Sequence, residues 1–250
     1  MPTNLEKEIN KNFENFSKSW KKELNDGILG LEKKKKNLQE SYRRLTSLQA
    51  WRTTIIEQSV SSEVLGFFLE AQNDSLISHV QASCGSWRVS LKSLRSLIEN
   101  ILYTLYYMDH PIELRLWSEG RHKLGFKELV SYLERHPDYQ DIRPNLNGIE
   151  IIKSEYAVLS RVVHASSRGF RMSEDGNVIN LWDTDQKKVS KWATREKNTL
   201  LGVNLFLITM FKKKLQGTKC AALRQTLAFV IPKNKDNQIK KQLSITIKRS

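Results

Sequence analysis

Between Trp87 and Met108 the apolar residues Trp87, Leu91, Leu94, Ile98, Ile101, Leu105 and Met108 fall at alternating steps of four and three. That spacing keeps one stripe of a helix apolar for about six turns. So long a stripe predicts a helix packed nearly antiparallel to a neighbour. Leu200–Phe211 adds a second constraint, because only Asn204 and Thr209 bring polar side chains into twelve apolar-rich residues. The run falls short of the roughly 20 residues that span a bilayer and reads as a buried helix. No apolar segment opens the chain after MPTNLEKEINKNF, so neither a secretory signal nor a membrane span is expected.

Most other segments also carry helical periodicity, and the fold class expected is all-α, an antiparallel helical bundle. Leu5, Ile9, Phe13, Phe16, Trp20 and Leu24 share one face, and Asp26-Gly27 and Gly30 are expected to break that helix. A second helix over 31–54 points Leu38, Tyr42, Leu45 and Leu48 inward. Residues 1–57 thus read as a helical hairpin extension with its own apolar seam. Residues 58–231 read as the bundle. Its first helix, 63–83, presents Leu65, Phe68, Leu69, Leu76, Ile77 and Val80, and Cys84-Gly85-Ser86 connects it to the next. Two shorter helices follow around 113–120 and 125–136, then a loop over 141–150 and a helix over 150–166. Asp175-Gly176, flanked by Phe170-Arg-Met172 and Val178–Leu181, predicts a small β-hairpin within 169–184. Helices over 190–215 and 219–230 close the bundle.

Residues 232–250 read as a basic C-terminal tail. The net charge of +14 is concentrated late: residues 201–250 hold 11 Lys and Arg against the single Asp236. A basic end on a near-neutral core suits a polyanionic partner or a solubilising tail. The candidate nucleic-acid contacts are Lys212, Lys213, Lys214, Lys233, Lys235, Lys240, Lys241, Lys248 and Arg249. Lysine dominance favours point-charge contact with phosphates over bidentate base readout. Cys84 and Cys220 stand far apart, which suits a reducing cytoplasm and offers no metal cluster. No phosphate loop, nucleophile elbow or metal motif occurs, and no cofactor is expected.

The chemistry-bearing stretch is Tyr156-Ala-Val-Leu-Ser-Arg-Val-Val-His-Ala-Ser-Ser-Arg-Gly-Phe170. As a helix it places Ser160, Arg161, His164 and Arg168 on one face at steps of one turn. Histidine can move protons near neutral pH, and arginine can hold phosphate oxygens bidentately. Such a face can bind or cleave a phosphodiester, whereas a histidine near a helix end also commonly does no more than meet the last-turn carbonyls. Arg95 and Glu99 lie on the flank of the 87–108 stripe at i, i+4, either as a helical ion pair or as a partly buried pair aimed at another helix. His79, His110, His122 and His136 lack comparable neighbours in sequence and read as structural or exposed.

Ser93-Leu-Arg-Ser-Leu-Ile-Glu-Asn100 and Tyr156–His164 resemble motifs of the HEPN superfamily, over residues 61–215. The nearest likeness is to bacterial abortive-infection and uncharacterised HEPN-like proteins. The resemblance implies a helical bundle, pairing of two copies, and in catalytic members metal-independent RNA cleavage through an Arg-x(4–6)-His motif. His164 matches that histidine. The arginine is displaced: Arg161 stands three residues before His164, so Arg161, Arg168 or Arg95 would have to serve, with Ser160 orienting the imidazole. Two functions stay open. One is a non-catalytic, nucleic-acid-associated subunit of a defence or toxin-type complex, placed first, with RNA ahead of DNA and a homodimer or larger assembly as partner. The other is an endoribonuclease effector using His164.

Overall fold

In the computed structural model, which describes residues 3–32, 35–163, 182–183, 185–216 and 220–249, the four-three stripe forms helix α4 (Trp87–Tyr107). Its Leu94, Leu97, Ile98, Ile101 and Leu105 are buried. The helices before it are α1 (Asn4–Glu32), α2 (Lys35–Thr54) and α3 (Ser62–Ser83). After it come α5 (Pro111–Ser118), α6 (Phe126–Arg135), α7 (Pro137–Gln140), α8 (Pro144–Asn147) and α9 (Ile149–Val163). The chain continues through α10 (Gln186–Met210), α11 (Lys212–Leu215), α12 (Ala221–Leu227) and α13 (Asp236–Leu243). The described residues contain no strand, and the expected β-hairpin falls almost wholly outside them.

Local chemistry sets many of the boundaries. Ser61 caps α3 by accepting the Val64 amide, and Asp185 caps α10 by accepting that of Lys187. Pro111, Pro137 and Pro144 each open a helix, where the missing N–H has no partner to lose. Gly148 joins α8 to α9 at φ 82°, a left-handed conformation. A side chain there would collide with the Gly202 carbonyl of α10, so glycine lets the start of α9 abut α10.

α3 and α4 form the most extensive helix pair. Ala71, Ser75, Ser78 and Ala82 line the buried face of α3, and Ser78 Oγ lies 3.1 Å from Ser90 Oγ across the seam. Small side chains let the backbones approach, which leaves Leu76, Ile77 and Val80 exposed where the apolar pattern placed them inward. α10 runs through the centre, touching α2, α4 and α9, with Leu200, Val203, Leu205, Phe206, Leu207 and Ile208 buried.

The N-terminal hairpin expected over 1–57 does not form a seam of its own. α1 continues unbroken through Gly27 and Gly30 and meets α3, while Leu5, Ile9, Phe13 and Phe16 stay exposed. α2 packs on α12, α10 and α3, and its Leu45, Leu48 and Trp51 belong to the main core, with Tyr42 facing outward. The C-terminal segment is likewise no tail. Ile239, Leu243, Ile245 and Ile247 are buried in the same core, and the Lys248 amide donates to the Arg224 carbonyl at 3.2 Å. The expected loop over 141–150 contains the one-turn helix α8. No helix is long and apolar enough to cross a membrane among the described residues.

Several polar side chains in this core are matched across helices. Arg44 of α2 holds Glu196 of α10 through Nε at 2.8 Å and Nη2 at 2.6 Å, and Ser41 Oγ donates to the same carboxylate at 3.1 Å. His79 Nδ1 sits 3.0 Å from Ser41 Oγ, and burial, helped by the Arg44 charge, lowers the imidazole's proton affinity. One step along, Trp51 Nε1 donates to Asn204 Oδ1 at 2.9 Å, and Asn204 Nδ2 donates to Ser47 Oγ at 3.1 Å. Glu155 of α9 accepts from Arg195 Nη1 at 2.9 and 3.0 Å and from Asn198 at 2.8 Å.

Burial raises the Glu196 carboxyl to about 7 against the attraction of Arg44. A carboxyl can take up a proton when its partner is lost, whereas a guanidinium keeps its charge. Glu196→Leu, which strands Arg44, is therefore expected to cost about 3–5 kcal/mol in denaturant unfolding, and Arg44→Leu distinctly less. The raised value also fixes a sign: the folded chain keeps a proton that the unfolded chain releases above its ordinary value of 4.5. The stabilisation from Glu196 is full below that value and is lost as pH rises through about 7. Arg44→Leu should steepen this decline when unfolding is measured at mildly acid and mildly alkaline pH.

Candidate functional site

The segments singled out in sequence meet where α4 crosses α9. Arg95 Nη2 donates to Glu99 Oε1 at 3.0 Å, one turn along α4, and to Tyr156 Oη of α9 at 2.8 Å. Tyr156 Oη in turn donates to the same Glu99 oxygen at 2.6 Å. The triangle closes because α4 and α9 pack together and because Phe126 of α6 stacks on Tyr156 with centroids 3.6 Å apart. The Arg95 guanidinium carbon also lies 5.0 Å from the Tyr156 ring centre. Burial alone would weaken Arg95 as a base, but Tyr156 and Glu99 outweigh it and strengthen its hold on the proton. Burial, reinforced by the hydrogen bond to Glu99, likewise keeps the Tyr156 phenol protonated.

Two polar atoms at this crossing, Arg95 Nε and Ser160 Oγ, are buried with no hydrogen-bond partner. Arg88, two turns before Arg95 on the same face, reaches the Val163 carbonyl at the end of α9 at 3.4 Å. Arg161 lies in the last turn of α9 and is exposed. His164 and Arg168 lie outside the described residues. The structure thus brings Arg95 and Glu99 together and adds Tyr156, Phe126 and Arg88, which sequence reasoning had not assigned to the site. Tyr156 precedes Ser160 by one turn and Arg88 precedes Arg95 by two, so helical spacing carried that signal.

The remaining histidines are engaged elsewhere. His110 stacks on Tyr106 at 3.9 Å between centroids. His136 accepts the Asp138 amide at Nδ1 and faces Asp109 at 3.2 Å through Nε2, so both ring nitrogens are occupied at the α6–α7 junction.

The second candidate surface is the basic C-terminal one, and its charges divide into two groups. Arg249 binds Asp236 through Nε at 2.6 Å and Nη2 at 2.7 Å, and donates to the Ala228 and Ile231 carbonyls. Lys212 pairs with Asp138 at 3.0 Å, Lys235 donates to the Asn145 carbonyl at 2.7 Å, and Lys214 meets Ser59 Oγ. Those four serve the fold. Lys213, Lys233, Lys240, Lys241 and Lys248 are exposed. Lys241 also lines an open groove of about 340 Å³ with Arg143, Asn237, Gln238 and Gln242, a lining without any carboxylate. Asp236, the single acid of residues 201–250, is already held by Arg249, so nothing in that segment offsets the outward lysines.

No family model, curated protein or solved structure matches the chain.

Tyr156→Phe keeps the stack on Phe126 and removes the hydroxyl that ties Arg95 to Glu99. The expected loss is about 1 kcal/mol, because the site is partly exposed and the ion pair itself remains. Urea unfolding of this variant beside Arg95→Met would check it, with the larger loss expected for the Tyr156 change only if the hydroxyl dominates the cluster.

Proposed function

We propose that this chain is a nucleic-acid-associated helical subunit, HEPN-like in architecture, that works in the cytoplasm within a defence or toxin-type assembly and binds RNA without cleaving it. The observation that carries this reading is the groove between Arg143 and α13, whose lining is basic and amide-rich and contains no carboxylate. Lys233, Lys240 and Lys248 are further exposed cations of the same C-terminal segment, and point charges of this kind contact a phosphate backbone without reading sequence. The crossing of α4 and α9 supports the non-catalytic side, since Glu99 and Tyr156 already occupy the Nη2 group of Arg95.

A second reading, an endoribonuclease using His164, rests on the two buried atoms without a hydrogen-bond partner, Arg95 Nε and Ser160 Oγ, which a phosphodiester would have to uncover before engaging them. One assay separates the two. Purified protein is incubated with labelled total RNA without divalent metal, wild type beside His164→Ala. Intact RNA with salt-sensitive binding supports the subunit, and cleavage abolished by the substitution supports the enzyme. For binding, Lys233→Glu, Lys240→Glu and Lys241→Glu together should lower RNA affinity at least tenfold. They should also flatten the dependence of log affinity on log salt by roughly 0.7–0.9 for each phosphate no longer neutralised. Unchanged affinity in that variant would remove the groove from the reading.

A further inference from the structure

Among the described residues two arginines are buried, and one of them has no partner. Arg44, 7% exposed, directs Nε and Nη2 to Glu196. Arg224 of α12 is 6% exposed, yet no carboxylate, carbonyl or hydroxyl of the described residues accepts from its guanidinium. A guanidinium keeps its charge wherever it sits, and a buried charge without a counter-ion is strongly destabilising. Arg224 therefore calls for an anion from outside the chain.

The surrounding elements supply none. From Lys212 to Lys235, a stretch that includes α12 itself, the sequence holds no acidic residue. α12 packs on α2, whose single acid, Glu40, is held by Arg43 at 2.8 Å. Glu57, the next acid along the chain, faces Arg52 at 3.2 Å. The last residues also lie against α12: the Lys248 amide donates to the Arg224 carbonyl at 3.2 Å, and Arg249 donates to the Ala228 carbonyl at 2.9 Å. Asp236, the nearest acid on that side in sequence, is taken by Arg249.

The guanidinium is open at its fork. Nε alone of its three nitrogens is enclosed without a partner, so the two Nη groups meet solvent through the residue's narrow opening. The exposed side chains of α12, Ala221, Ala222 and Gln225, bring no charge to that surface. Two N–H groups of one fork match two oxygens of one oxyanion. Charge then selects among oxyanions. Residues 201–250 hold 11 Lys and Arg against one Asp, and exposed Lys248 is bonded through its amide to the Arg224 carbonyl. Such an excess of cations favours a phosphate monoester or a chain of phosphates over a single carboxylate.

We infer that Arg224 is a phosphate receptor: its Nη fork binds one phosphate group bidentately where α12 meets the C-terminal segment. The group is either a free phosphate or one phosphate of a nucleic-acid backbone. The site is separate from the groove beside α13, whose lining does not include Arg224, and it stands whether or not that groove binds RNA.

The enclosed Nε–H supplies a nitrogen–proton NMR signal, assigned by its disappearance in Arg224→Lys. Titrated with inorganic phosphate at constant ionic strength, the signal should shift saturably, and acetate should bind about tenfold more weakly or worse. The saturable part of the melting-temperature rise, roughly 3–5 °C at tenfold excess over the dissociation constant, should vanish in Arg224→Leu and persist in Lys241→Ala. A single-stranded RNA oligonucleotide then identifies the source. RNA that competes with phosphate for the Arg224 signal assigns a backbone phosphate, and RNA without effect assigns a free phosphate group. Three results overturn the inference: a signal that phosphate leaves where chloride leaves it; equal affinity for acetate and phosphate; or a saturable rise in melting temperature that survives Arg224→Leu.

Discussion

Glu196 sits at the centre of the bundle, and much of the helix arrangement depends on how its charge is met. A carboxylate on a central helix is tolerable only where cations and hydroxyls reach it. Arg44 and Ser41 do so from α2, and His79 of α3 joins through Ser41. Two turns further along α10, Asn204 repeats the device with Trp51 and Ser47 of the same α2. Apolar packing alone lets two helices slide past one another at modest cost. Two directional contacts eight residues apart on one helix, matched by partners on another, fix both register and rotation. Glu155 does the same between α9 and α10, and that places the end of α9 beside α4.

Long apolar rows were the most legible part of this fold. The α4 stripe and the Leu200–Phe211 run both specify buried helices, and both are buried. The reading fails where packing depends on the absence of side chain. On α3 the buried face is Ala71, Ser75, Ser78 and Ala82, and an apolar count follows Leu76, Ile77 and Val80 to the wrong side. It also fails where charge masks a different period. Leu243-Ser-Ile-Thr-Ile247 alternates strictly, and all three apolar residues are buried, yet the lysines around them draw the eye to a solvated tail.

The candidate site was half legible for a related reason. Arg95 and Glu99 are one turn apart, so their pairing is written in a single helix. Tyr156 and Phe126 come from two other helices, and only tertiary packing decides that a phenol closes the triangle. The result changes the chemistry implied. An arginine beside a glutamate at a surface is a labile pair that a phosphate can break, but here Nη2 is shared by two acceptors under a stacked aromatic lid. His164 and Arg168 lie outside the described residues, and of the Tyr156–Phe170 stretch Tyr156 and Ser160 belong to the described site.

Arginine and lysine divide the work of this strongly basic chain. Arg44, Arg195, Arg95 and Arg249 each pair with a carboxylate inside or at the edge of the bundle. A planar, weakly hydrated guanidinium can satisfy two acceptors at once and loses less on leaving water. Lys213, Lys233, Lys240, Lys241 and Lys248 stay outside, as their strongly hydrated ammonium groups require. Arg249 links the two roles, because in binding Asp236 it both donates to the Ala228 and Ile231 carbonyls and occupies the single acid of residues 201–250. The basic surface is therefore a product of the fold as much as of composition: Asp236 is held by Arg249 and takes no part in the groove lining.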